Sequence, residues 1–269
     1  MGAGAVPAVA LPLAAVDLTP GRLALLAAAG FAAGAVNAVA GGGSLISFPA
    51  LLAVGYGSVT ANVTNAVAVL PGYLGGSIGY RAELAGQRRR ALALSVTSVA
   101  GAIAGAVLLI ESPAHVFRQI VPFLILGSCA LLAAQPAIAR RLGPSAPRGE
   151  EHLSVRLHAM QLAAAVYGGY FGAGLGILLL AVLGLGLRDS LQRLNALKGL
   201  LSLVIGAAAV AWFAVFGPVA WGAAAVMAAA SLVGGRAGVG LARRLSAGVL
   251  RAVIVAFGTI VATWLLIHS

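Results

Sequence analysis

The stretch NAVAGGGSLISFPALL, residues 37–52, decides how this chain folds. Three consecutive glycines, at positions 41–43, precede a short apolar run that contains Pro49. No charged residue occurs between Arg22 and Arg81. In a soluble protein such a glycine triplet would form a loop, but here it interrupts a stretch that has the composition of a membrane helix. A helix that breaks inside a membrane needs protein or water to satisfy its freed backbone groups, so the break is a candidate for function.

The composition of the whole chain is that of a polytopic membrane protein. Of the 269 residues, 61% are hydrophobic and only 9% are charged, whereas a soluble domain typically carries about 25% charged residues. Several apolar runs, such as 91–110 and 249–267, reach the length of about 20 residues that crosses the hydrocarbon core. We therefore predict an all-α polytopic membrane protein.

The net charge of +11 reflects arginines in short loops between apolar runs. This is the pattern of cytoplasmic loops beside anionic lipid, so we expect the lipid bilayer and no nucleic acid as a partner. The single cysteine, Cys129, excludes a disulfide within the chain and a cysteine-based metal cluster.

Eight apolar segments are predicted. They lie at about 22–56, 60–80, 91–110, 116–136, 157–187, 192–215, 218–241 and 248–267. The first and the fifth are too long for one straight crossing, and each contains a glycine-rich break near its middle. The polar stretch RRLGPSAPRGEEHLSVR, residues 140–156, is the clearest linker. The expected organisation is an N-terminal segment (1–21), a first membrane repeat (22–136), a cytoplasmic linker (137–156) and a second membrane repeat (157–267).

The two halves are related in sequence. Four pairs of stretches match in order at offsets between 130 and 133: GGGSLISFPALLAVG (41–55) with GAGLGILLLAVLGLG (172–186), TNAV (64–67) with LNAL (194–197), SVAGAIAG (98–105) with SLVGGRAG (231–238), and VFRQIV (116–121) with VLRAVI (249–254). This steady offset indicates an internal duplication.

The loop arginines indicate how the two halves are oriented. If all eight segments cross the membrane once, these arginines divide almost evenly between the two sides. If segments one and five enter and leave by the same face, all loop arginines except Arg22 and Arg118 fall on one side, as the positive-inside rule prefers. We therefore predict two inverted repeats with segments one and five broken at glycines as hairpins, and both termini outside. The charge pattern does not separate a re-entrant hairpin from two short crossings.

Broken helices of this kind form binding sites in transporters with inverted repeats, where helix N-termini point at anions. We expect this role for the two glycine-rich breaks. Scattered glycines such as Gly101 and Gly105 are better explained by close packing between helices.

The ordered motifs resemble the sulfite exporter TauE/SafE family, also called the toluene sulfonate uptake permeases. The resemblance lies in the glycine-rich break followed by FPALLAVG, in GGYFGAGLGILLL and LNALKGLLSL of the second half, and in the closing GGRAGVGLARRL, and it covers residues 25–267. It implies a transporter of sulfur-containing or related small organic anions in the cell inner (plasma) membrane.

Polar residues within the spans supply the candidate site. All six carboxylates and all four histidines lie in loops or at segment ends, which argues against a metal-cation transporter, and we expect no metal and no cofactor. Two cations, Lys198 and Arg236, lie farther from the ends of their segments than the other basic residues do. The predicted substrate-binding residues are Asn37, Gly41, Gly42, Gly43, Ser44, Asn65, Gly172, Gly174, Asn195, Lys198 and Arg236. The alternatives are snorkelling for the cations and interhelical hydrogen bonds for the amides and hydroxyls.

The expected function is transport of a small anion such as sulfite, thiosulfate or an organosulfonate. A passive anion channel and a carrier of a small organic carboxylate are the alternatives. We do not expect an enzyme, because no span offers a central histidine or acid that could activate the serine of GGGS. The expected partners are the small anionic substrate and the bilayer, and a homodimer is one option for assembly.

Overall fold

The structure is a computed structural model that describes residues 16–39, 42–79, 82–142, 153–241 and 247–267. Within these residues all regular structure is helical, as expected for a chain whose backbone must satisfy its own hydrogen bonds in lipid. The helices are α1 (Pro20–Val39), α2 (Ser44–Val54), α3 (Ser58–Gly79), α4 (Arg88–Glu111), α5 (Ala114–Leu142), α6 (Val155–Tyr170), α7 (Leu175–Gly186), α8 (Leu191–Phe216), α9 (Trp221–Leu241) and α10 (Ala247–Ile267).

Three stretches of the described helices are both long and apolar enough to cross a membrane, namely Arg88–Glu111, Ala114–Ile138 and Leu191–Phe216. Shorter apolar helices lie at Ser44–Val54, Leu175–Gly186 and Arg251–Ile267. The all-helical class follows from these observations, whereas the count of eight segments stays a prediction. Helix α5 continues to Leu142, so the first part of the predicted linker is helical, and residues 143–152 of that linker lie outside the described residues.

The two long segments of the sequence are each divided into two helices. Helix α1 ends at Val39 and α2 begins at Ser44, while α6 ends at Tyr170 and α7 begins at Leu175. Gly41, in the first break, lies outside the described residues. With 11 and 12 residues, α2 and α7 are about 16 to 18 Å long, which is shorter than the hydrocarbon core of about 30 Å.

Helices of each half pack against helices of the other half. If α1 to α5 are matched in order with α6 to α10, the packing of α1 and α3 against α9 has its counterpart in the packing of α6 and α8 against α4. In the same way α2 contacts α10, and α7 contacts α5. Helices α3 and α8 also contact each other, as do α5 and α10. The two halves therefore share one set of helix–helix contacts and do not form separate bundles.

Glycines allow the closest of these helix contacts. A Cβ on Gly101 would lie 2.7 Å from Ala165 Cβ, and one on Gly105 would collide with the carbonyl oxygen of Val166. On the other side of the molecule, a Cβ on Gly34 would collide with the carbonyl oxygen of Ser231. The predicted packing role of Gly101 and Gly105 is confirmed, since α4 can approach α6 this closely only without side chains there.

Candidate functional site

The two glycine-rich breaks meet beside the middle of α5. A Cβ on Gly42, in the first break, would lie 3.3 Å from Leu132 Cδ2, and one on Gly174, in the second break, would lie 3.5 Å from Ser128 Cβ. Ser128 and Leu132 are four residues, or about 6 Å, apart along this helix. Breaks that are about 130 residues apart in sequence therefore lie next to adjacent helical turns.

The first break is held by the side chain of Asn37 at the end of α1. Its Oδ1 accepts a 2.8 Å hydrogen bond from the backbone N–H of Gly43. A Cβ on Gly43 would also collide with the carbonyl oxygen of Ala33. The N–H group of Gly43 is therefore occupied, and the glycine is required here for packing, while its predicted place in the substrate-binding turn stays a prediction.

Asn65 is likewise engaged within the protein. The hydroxyl of Ser47 donates to its Oδ1 and also lies 3.3 Å from the carbonyl oxygen of Gly43. Both side chains are buried. Asn65 thus positions the start of α2, which is the interhelical alternative for this residue.

Several donors at the first break have no partner among the described residues. The Nδ2 of Asn37 is buried and unpaired. The backbone N–H groups of Gly42 and Ser44 and the hydroxyl of Ser44 form no hydrogen bond with the described part of the chain. Since α2 begins at Ser44, these donors surround a helix N-terminus and are free to bind an anion.

The second break is held by a tyrosine and a serine. The hydroxyl of Tyr167 donates to the carbonyl oxygen of Ala173 at 2.5 Å and lies 2.8 Å from Ser128 Oγ, which is 2.9 Å from the same carbonyl oxygen. Gly172 and Gly174 have φ angles of +76° and +71°, which favour glycine. The N–H of Gly172 donates to the backbone carbonyl oxygen of Tyr167 at 3.1 Å. Gly172 therefore shapes the turn with its N–H occupied, and its predicted role in substrate binding stays a prediction.

The start of α7 carries unpaired N–H groups, as the start of α2 does. The backbone N–H groups of Gly174 and Gly176 form no hydrogen bond within the described residues. A further contact ties this region to the first half, because Nδ2 of Asn62 donates to the carbonyl oxygen of Tyr170 at 2.8 Å. Helix α3 is thus bonded both to the second break, through Asn62, and to the start of α2, through Asn65.

Lys198 lies two turns into α8 and forms no hydrogen bond or ion pair with the described residues. Asn195, one turn before it, also has no hydrogen-bond partner in this part of the chain. One turn after it, Ser202 is buried with an unpaired hydroxyl. A Cβ on Gly206, the next turn, would lie 3.9 Å from Tyr73 Cδ2 on α3.

Arg236 does not join this group. Its side chain is exposed on α9, although the neighbouring Gly234 and Gly235 are buried. The structure therefore places Arg236 at the surface.

Carboxylates of the described residues lie in loops or at helix ends, and Asp189 is the most buried of them. Its Oδ2 accepts hydrogen bonds from Arg90 at 2.8 Å and from Arg193 at 3.0 Å. Burial alone would raise its pKa, but the hydrogen bonds from Arg193, from the N–H of Ser190 and from Arg90 outweigh burial, so the pKa lies below its ordinary value. No cluster of histidine, cysteine or carboxylate side chains in the described residues could hold a metal ion.

A surface crevice of about 530 Å³ lies between α5, α6 and α7, next to the second break. Tyr167 is its one polar side chain, and the other lining residues are apolar, among them Phe123, Met160 and Leu178. Such a lining does not suit an anion, so the site is better placed at the breaks and at Lys198.

Several polar residues that the candidate list omitted prove to be part of the interior. They are Ser98, Ser128, Gln161 and Ser202, all of them buried. Their position within apolar spans was the available signal, since polar groups are costly in lipid.

Comparison with known proteins supports membrane transport. A family model described as sulfite exporter TauE/SafE matches residues 26–265. A probable membrane transporter protein of Haemophilus influenzae is 29% identical over 82% of this chain and 86% of its own. The probable membrane transporter protein YfcA of Escherichia coli K12 is 26% identical over 94% and 92%. No solved structure shows a significant match.

Proposed function

The chain belongs to the sulfite exporter TauE/SafE family, which confirms the resemblance seen in its motifs, and we propose that it is a carrier of small anions. The first candidates are sulfur-containing anions: sulfite, thiosulfate or an organosulfonate. We place it in the cell inner (plasma) membrane.

The observation that carries this proposal is the meeting of two helix breaks beside α5. The N–H groups of Gly42 and Ser44 at one break, and of Gly174 and Gly176 at the other, lie at helix N-termini and have no partner within the described residues. Each N-terminus carries a positive partial charge of about half an elementary unit. Two such termini, from α2 and α7, lie beside adjacent turns of α5 and favour an anion over a cation.

Lys198 supplies a full positive charge on the path of the anion. It lies in a helix that is apolar enough to cross a membrane, and it has no carboxylate partner among the described residues. An uncompensated ammonium is costly in such surroundings, and a bound anion removes that cost.

We further propose that α1–α2 and α6–α7 are hairpins in two inverted repeats. The two helices of each pair pack against each other, and the ends of the second pair lie close together, since a Cβ on Gly186 would lie 2.5 Å from Leu157 Cδ1. The exchanged helix contacts and the clustering of loop arginines favour the same arrangement. Alternating exposure of the central breaks would then move the anion across the membrane.

The test is a flux screen with purified protein in proteoliposomes. Uptake of labelled sulfite, thiosulfate, methanesulfonate and acetate is measured against liposomes without protein. A carrier of sulfur-containing anions gives saturable sulfite or sulfonate uptake that an unlabelled sulfur-containing anion inhibits. Uptake that rises linearly with concentration indicates a channel, preference for acetate indicates a carboxylate carrier, and no uptake of any anion contradicts the proposal.

A further inference from the structure

Helices α4, α6 and α8 pack against one another, and their junction holds a buried polar group of side chains. The Nε2 of Gln161 on α6 donates to Oγ of Ser98 on α4 at 2.8 Å, and both residues have 0% of their surface exposed. The Oε1 of Gln161 has no partner among the described residues. Either orientation of the amide leaves one of its two polar atoms without a protein partner, because only Ser98 is within reach.

Ser202 on α8 brings a second unpaired group. Its exposed fraction is 2%, and its hydroxyl finds no partner in the described part of the chain. It does not donate to the carbonyl of Lys198 one turn earlier, as a serine within a helix often does. Its hydroxyl therefore remains free to bind something else.

The relation between the two halves predicts that Ser98 lies near Lys198 and Ser202. By the repeat offsets Ser98 corresponds to Ser231, Lys198 to Ala68, and Ser202 to Gly72. At the α1–α3–α9 junction, Ser231 Oγ on α9 donates to the carbonyl oxygen of Ala68 on α3 at 2.8 Å. The Oγ of Ser231 would also lie 3.6 Å from a Cβ on Gly72. Because α4 packs against α8 as α9 packs against α3, Ser98 is expected to face the turn of α8 that carries Lys198 and Ser202.

The two junctions differ sharply in chemistry. At the α1–α3–α9 junction, Gly34, Gly72 and Gly235 bring the helices into contact, with a Cβ on Gly72 only 3.6 Å from Gly34 Cα. The α4–α6–α8 junction has a glutamine, two serines and a nearby lysine instead. Each buried polar group without a partner costs about 1 to 3 kcal/mol, so the polar junction is explained if a ligand satisfies these groups.

We infer that the α4–α6–α8 junction is a binding station for a small oxyanion, with Lys198 supplying charge, Ser202 donating a hydrogen bond and Gln161 contacting a further oxygen. The inference rests on the proposed function and adds residues to it. Ser98 and Ser202 are the eleventh and twelfth residues of their helices, which places the station about 15 to 17 Å along each. The oxyanion would reach it from the cytoplasmic end of α8 on its way to or from the breaks.

The experiment measures the affinity of purified protein for sulfite and for methanesulfonate by calorimetry. Ser202→Ala and Gln161→Leu should each weaken binding roughly tenfold, as expected for the loss of a hydrogen bond to a charged group. Ser231→Ala is the control, since it removes a buried hydroxyl at the glycine junction, and its affinity should stay within about twofold of wild type. Ser202→Thr keeps the hydroxyl and should retain most of the affinity.

The outcomes separate this inference from the proposed function. If wild type binds an anion and Ser202→Ala and Gln161→Leu bind it as tightly, the station is refuted while anion transport stands. If Ser231→Ala weakens binding as much as they do, the asymmetry between the junctions is refuted. If wild type binds neither sulfite nor methanesulfonate, the proposed function fails and the station with it. Thermal melting of each variant identifies any that has lost its fold. If Ser202→Ala does not fold, Gln161→Leu and Ser202→Thr carry the test: wild-type affinity of Gln161→Leu, or loss of affinity by a folded Ser202→Thr, would refute the station.

Discussion

Replacing Asp189 by asparagine removes the charge that holds two loops of the two halves together. The carboxylate bonds to Arg90 on α4 and to Arg193 on α8, and Arg193 also donates to the carbonyl oxygen of Ala85 at 3.0 Å. The side chain of Gln87 contacts the carbonyl oxygen of Arg193 at 3.1 Å. The loop before α4 is thus tied to the start of α8 through one buried acid.

The size of the effect follows from burial. Asp189 is 2% exposed, whereas Arg90 and Arg193 are 18% and 30% exposed. Breaking a fully buried pair costs about 3 to 5 kcal/mol. Water can reach both arginines, and asparagine can still accept the hydrogen bond from the N–H of Ser190. We therefore expect a loss of about 2 kcal/mol and a fall in Tm of roughly 4 to 8 °C.

The assay is thermal unfolding in detergent for wild type, Asp189→Asn and Glu111→Gln. Glu111 is exposed at the end of α4, so its variant controls for loss of a negative charge. Because the pKa of Asp189 is lowered from 3.8, its stabilisation is complete above that value and is lost as pH falls through the folded-state pKa. The difference from wild type should be constant between about pH 5 and pH 8. Equal Tm values for Asp189→Asn and Glu111→Gln would refute the reasoning.

Two further predictions concern the breaks. Gly172→Ala should destabilise the protein by about 1 to 3 kcal/mol, because φ is +76° and a Cβ would lie 2.9 Å from the carbonyl oxygen of Gly168. The control is Gly57→Ala, whose Cβ would lie in open space. Equal Tm values for the two variants would contradict the predicted strain at Gly172. In a Cys129→Ala background, Thr19→Cys and Gly57→Cys should both react with an impermeant thiol reagent from the periplasm, and reaction of only one would exclude the α1–α2 hairpin.

The sequence was sufficient to predict the membrane class and the positions of both helix breaks. Apolar length and glycine clusters are local signals, and the helix ends at Val39 and Tyr170 each lie two residues before the first glycine of a predicted break. The packing of Gly101 and Gly105 was predictable for the same reason, since closely spaced small residues in an apolar helix favour close contact.

The details of the site depended on contacts between distant parts of the chain. No local pattern reveals that Asn37 occupies the N–H of Gly43 or that Ser47 occupies Asn65, because each such pairing depends on how the helices pack. The meeting of both breaks beside α5 likewise arises from tertiary packing. Gln161 and Ser202 look like ordinary polar residues of a helix until their burial and their missing partners are known.

The most direct test of anion transport through this site is the initial rate of labelled sulfite uptake into proteoliposomes, measured over a range of concentrations. Wild type is compared with Lys198→Gln and Lys198→Arg. We predict saturable uptake by wild type and a loss of roughly tenfold or more in kcat/KM for Lys198→Gln, with a smaller loss for Lys198→Arg, which keeps the charge but changes its shape. Uptake by Lys198→Gln with the kcat/KM of wild type would contradict the account.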